Sequence, residues 1–217
     1  MRNEQIIQIL IYFHAIFGGI ALLSGLISLI VKKGNKVHKK SGKLFYYSML
    51  LSALTALIIA TLPKHESPFL FSIGIFSSYF TIMGYRSLRF KNEDLNLKTD
   101  KIISWIMIIT AILMILYNPF VNQSINIVLT VLGITGLIFS ARDLILFKNP
   151  VKLKHNWLKL HLGKMIGGYI AATTAFVVVN EFFPSFYGWF IPAIIGIFCI
   201  RYWIKKLNKK QSKIALG

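Results

Sequence analysis

Cysteine is all but missing. Cys199 is the only one in 217 residues, which excludes a disulfide framework and any multi-cysteine metal site. Acidic residues are scarce too: 7 Asp and Glu stand against 25 Lys and Arg, leaving a net charge of +18. Charged residues make up only 15% of the chain, where a soluble domain carries about 25%. A solvated globule is excluded on that ground. Disorder is excluded by the 55% of hydrophobic residues. No Walker loop, His-Glu-x-x-His zinc motif or Gly-x-Ser-x-Gly elbow occurs. No two carboxylates share the apolar runs, which argues against a carboxylate-driven proton or cation pump. The positive charge does not point to nucleic acid, because the basic residues lie between apolar runs long enough to cross a bilayer.

Those runs are what the sequence does have. A bilayer core of about 30 Å takes roughly 20 apolar residues per helix. Seven spans are predicted, at about 6–31, 44–62, 69–90, 102–117, 125–147, 160–183 and 186–204. The expected fold is an all-α, polytopic transmembrane bundle that makes residues 1–217 a single integral membrane domain. The longest connection, about 86–101, is too short for a separate soluble domain. The first span is too long, and its leading segment too poor in positive charge, for a cleaved signal peptide.

Basic residues set the orientation. Twenty-three of the 25 fall in alternate connections and the tail, at Lys32–Lys43, Arg86–Lys101, Arg142–Lys164 and Arg201–Lys213. Only Arg2 and Lys64 fall on the other side. Seven spans with this bias place the N-terminus outside and the C-terminus in the cytoplasm. The same residues favour contact with anionic lipid headgroups, Lys205, Lys206, Lys209, Lys210 and Lys213 above all.

Small residues recur every three or four positions, so they share helix faces. Examples are Gly18, Ala21, Gly25 and Ser28, then Gly74, Ser77, Thr81 and Gly84, then Gly133, Gly136, Ser140 and Asp143. Such seams pack helices tightly in lipid, and they also suit a flat cofactor. The fourth span is bulky and aliphatic, hence expected at the periphery facing lipid. Pro192 and Gly196 predict a kink in the seventh.

Histidine is the remaining source of chemistry. His14 lies about 12 Å into the first span, at 1.5 Å per residue. An ionisable group at that depth is a functional candidate by default. His38 and His161 are expected at the cytoplasmic interface, where each opens or precedes a helix running the same way. With Gly42, Gly168 and Tyr169 they form the candidate cofactor site. His38 and His161 are its candidate metal ligands, since imidazole suits haem iron, zinc or copper. Lysines beside both would attract a haem propionate or a lipid phosphate. His65 and His155 read as surface residues.

The segments His14-Ala-Ile-Phe-Gly18-Gly-Ile-Ala-Leu-Leu-Ser-Gly25, Lys33-Gly-Asn-Lys-Val-His38-Lys-Lys-Ser-Gly42-Lys-Leu-Phe and His161-Leu-Gly-Lys-Met165-Ile-Gly-Gly-Tyr169 resemble an uncharacterised family of bacterial multi-pass membrane proteins. The resemblance implies the bacterial inner membrane and names no reaction. In b-type cytochromes the haem histidines sit within facing spans, whereas His38 is expected at or outside a helix end. Three function classes stay open. One is a redox protein holding haem b or a metal through His14, His38 and His161, with a quinone or lipid-like ligand. Another is a transporter or channel for a small or lipid-like solute. The third is a non-catalytic scaffold or sensor. Whether the chain is an enzyme is open at this point, and so is self-association.

Overall fold

The computed structural model describes residues 2–93, 95–121, 123–183 and 187–215, without the side chains of 2, 3, 69, 118 and 210–215. Arg2, Lys210 and Lys213, counted above for charge, therefore have side chains outside the described set. The described residues are all-helical. Seven α-helices run α1 (Arg2–Ile30), α2 (Lys36–Ile59), α3 (Pro68–Arg86), α4 (Lys98–Val121), α5 (Ile127–Leu146), α6 (Pro150–Val179) and α7 (Tyr187–Ala215). A 3₁₀ turn, Ser87–Arg89, extends α3.

Local chemistry sets the helix starts. Asn35 opens α2, its side chain accepting the His38 amide at 2.7 Å. Ser67 does the same for α3, Asn126 for α5 and Asn149 for α6. Pro68 and Pro150 follow two of these caps in the first turn, where a missing N–H costs nothing. Helix bounds consequently differ from the apolar runs. The fourth helix spans Lys98–Val121 and continues through Pro119. The sixth begins at Pro150 rather than 160. Its first three turns are a Lys-rich amphipathic extension, which hydropathy alone leaves out. His155 is thus an exposed helix residue, not a loop residue.

Among the described residues, six helices are long and apolar enough to cross a membrane. The helix most enclosed by its neighbours is α3. Phe76, Tyr79, Phe80 and Met83 of α3 form the main core with Met107 and Met114 of α4, Leu129 of α5 and Leu153 of α6. A smaller cluster joins Ala21 of α1 to Phe45 and Met49 of α2, against Met165 and Tyr169 of α6. Outside these cores the helices bare long apolar side chains: Ile9, Phe13, Ile16, Leu23 and Ile30 on α1, and Ile102, Ile109, Leu113 and Leu116 on α4. So much exposed apolar surface belongs in lipid. On α4 it is one face only, because Asp100, Ser104, Met107, Ala111 and Met114 are buried against α3 and α5.

The small-residue seams are helix crossings. A Cβ on Gly84 would lie 2.9 Å from the Met165 backbone nitrogen, and one on Gly168 would lie 2.8 Å from Thr81 Oγ1. These two contacts bring α3 and α6 close together. Gly133 seats in the same way against Ala111 and Ile115 of α4.

Candidate functional site

Two of the helices that end on the basic face, α1 and α3, are each capped there by a histidine from elsewhere. The last four carbonyls of a helix have no partner of their own. At the end of α1, the Ser28 carbonyl accepts from Lys33 Nζ at 2.8 Å and from His38 Nδ1 at 3.1 Å. Lys33 also donates to the Leu29 carbonyl at 2.6 Å. At the end of α3, the Gly84 carbonyl accepts from His161 Nδ1 at 2.8 Å and from Ser87 Oγ at 2.7 Å. His161 reaches that carbonyl because Gly84 has no side chain to hold α6 away.

A carbonyl can only accept, so each Nδ1 carries the proton and each Nε2 carries the lone pair. Neither Nε2 has a hydrogen-bond partner among the described residues. His38 and His161 both line one cavity of about 570 Å³ between α1, α2, α6 and α7.

The cavity is otherwise mainly apolar. Phe45, Trp157, Met165, Tyr169 and Trp203 supply aromatic and thioether walls. Gly25 completes one side: a Cβ there would lie 2.5 Å from the Tyr169 ring and 3.0 Å from that of Phe45. Lys32, Lys33 and Lys206 stand at the rim. Lys33 and Lys206 flank the Trp203 ring at 4.2 and 5.0 Å from its centre. Burial pushes the Lys33 ammonium below its usual pKa; Cys199 opposes this, and the positive charge of Lys206 adds to it. An anionic group at the rim would relieve that repulsion.

Of the sequence candidates, the fold gathers His38, His161 and Tyr169 on this cavity. Gly42 and Gly168 are not on its lining; they pack against Ser28 and Thr81 respectively. His14 is elsewhere as well. Its Nδ1–H donates to the Ser52 carbonyl at 2.9 Å, and Ser52 Oγ donates back to the His14 carbonyl at 3.1 Å. It points at α2, and its partner is a polar group of that helix. His38 stands at a helix end, in the first turn of α2, whereas His161 is well inside α6 rather than at its opening.

Two ion pairs went unread in the sequence. Lys164 meets Asp143 Oδ2 at 2.7 Å, while Tyr79 OH donates to the same oxygen at 2.7 Å and accepts from Lys164 Nζ at 2.8 Å. Phe80 and Phe139 flank the ammonium. Lys164, one of the basic residues that the charge count puts in the connections, is buried instead. Arg86 holds Asp100 with two bonds, Nε to Oδ1 at 2.6 Å and Nη2 to Oδ2 at 2.8 Å, tying α3 to the start of α4. The only signal available beforehand was the rarity of Asp beside so many cations.

No group of three or more His, Cys, Asp or Glu suited to a bare metal ion occurs among the described residues. No curated protein and no solved structure matches the chain. A family model described as a predicted membrane protein, DUF2306, matches residues 11–140. That stretch carries α1 from Ile11 onward, α2, α3, α4 and most of α5, with His14 and His38. A many-helix chain with this apolar surface is a multi-pass membrane protein, and it belongs to the DUF2306 family of membrane proteins.

Proposed function

We propose that this chain is a redox protein of the bacterial inner membrane that binds haem b between His38 and His161. The supporting observation is the shared arrangement of the two imidazoles. Each gives its Nδ1–H to a helix-end carbonyl, leaves its Nε2 without a hydrogen-bond partner among the described residues, and belongs to a residue that lines the same cavity. Metal-ligating histidines are oriented by this kind of outer hydrogen bond. A bare divalent ion would need three or four protein ligands. Haem brings four nitrogens of its own and asks the protein for one or two, and two is what this cavity offers. The aromatic and thioether walls suit a flat apolar macrocycle, and Lys32, Lys33 and Lys206 suit its propionates. When bound, the group supplies one-electron chemistry. The chain's own part is to hold the rings, exclude water and neutralise carboxylates at the rim.

The basic face, and with it the cavity, lies in the cytoplasm in this proposal, following the positive-inside bias. Binding requires the neutral imidazole, so it weakens as pH falls.

Absorption spectroscopy of the detergent-purified full-length protein, before and after haemin titration, tests the proposal. The expected result is a saturable Soret band and sharp, low-spin visible bands on reduction with dithionite. His38→Ala and His161→Ala should each lose the low-spin signature. A protein that stays colourless and binds haemin no better than the two variants overturns it.

A further inference from the structure

A second cavity, of about 730 Å³, lies between α5 and α6 on the basic face. Arg142 and Lys148 reach it from α5 and the following turn, Lys152 and Lys159 from α6. None of these four forms an ion pair with a carboxylate among the described residues. Asp143 is the one acid on the lining, and its charge is already met by Lys164 and Tyr79. The cavity therefore converges four uncompensated cations on one space. A merely solvated basic face would spread them apart.

We propose that this cavity seats the phosphate of an anionic phospholipid, with its acyl chains along the outer face of α5. Basic pockets between membrane helices on the cytoplasmic side are suited to such headgroups. The apolar part is continuous with the charged part. Ile145 lines the cavity and is exposed. Ile138, Ile134 and Val131 continue the exposed stripe along one face of α5. A free phosphate would use the cations and leave that stripe unexplained; a lipid uses both. The haem proposal is independent, because the two cavities lie on different sides of α6 and are lined by different residues of it.

The test is thermal unfolding of the full-length protein in detergent, titrated with dioleoylphosphatidylglycerol. Wild type is compared with Lys152→Gln/Lys159→Gln and, as a control on the same face, Lys39→Gln/Lys40→Gln. Lys39 and Lys40 are exposed and outside the cavity. At the usual strength of a juxtamembrane cation, losing two should raise the half-saturating lipid concentration by about tenfold or more. The control pair should leave it within about twofold. Equal weakening in both pairs overturns the proposal in favour of a diffuse basic surface. An equal rise in Tm with dioleoylphosphatidylcholine, or with inorganic phosphate at matched concentration, overturns it as well. All variants should unfold at the wild-type temperature without lipid, which shows that the comparison reads binding.

Discussion

Lys164 Nζ lies 2.7 Å from Asp143 Oδ2, with the two side chains only 4% and 5% exposed. The pair joins α6 to α5 in the interior, and Tyr79 joins it to α3. Removing one partner of such a pair leaves a buried charge with no counterpart, which costs about 3–5 kcal/mol. Lys164→Met and Asp143→Leu should each lower the unfolding temperature sharply. The double variant should recover part of the loss: an apolar pair carries no desolvation penalty, but the buried Tyr79 hydroxyl loses both of its partners. Thermal unfolding of the three proteins in one detergent checks this. A double variant as unstable as the sum of the singles would show that the two charges act independently.

Gly84 and Gly163 differ in surroundings although both lie in helices. A Cβ at Gly84 meets the Met165 backbone, which cannot move aside as a side chain can; a Cβ at Gly163 meets nothing within 4 Å. Gly84→Ala should therefore force α3 and α6 apart and cost about 1–3 kcal/mol. It should also weaken haemin binding by displacing His161 from its carbonyl. Gly163→Ala should be neutral or slightly stabilising. Unfolding temperature and haemin titration together read both effects.

His14 is bonded to Ser52 and is absent from the cavity lining. His14→Ala should cost about 0.5–1 kcal/mol, the usual worth of a hydrogen bond between membrane helices. The absorption bands lost in His161→Ala should be unchanged in His14→Ala. Disappearance of those bands in His14→Ala would place His14 in the cofactor site.

Orientation is checked by fusions. A fluorescent protein fused after the C-terminus should be bright and alkaline phosphatase at that point inactive, as the charge bias requires. Phosphatase inserted at His65, in the turn between α2 and α3, should be active. The reverse pattern would put the basic face, and both cavities, outside the cytoplasm.

The sequence by itself determined the all-helical membrane class. About twenty apolar residues in a row have few other places to go, and the apolar periodicity and Asn caps are local properties. It also marked the seams at Gly18, Gly84 and Gly133 as close-packing faces, because spacing along one helix tells which residues share a side. Apolarity did not show that α6 starts at Pro150, since hydropathy measures the lipid-exposed length and not the helix. Asn149-Pro150 was the local signal for that boundary.

Contacts between helices were decided only by tertiary structure. A lysine read alone is assigned to water or headgroups, so nothing in the sequence tied Lys164 to Asp143 or placed Tyr79 beside both. Likewise His38 and His161 were legible as two histidines on the basic face. Their protonated nitrogen became fixed once α2 brought one ring to the end of α1, and α6 brought the other to Gly84. The tautomer of an imidazole follows from what lies opposite it, and what lies opposite it here belongs to another helix.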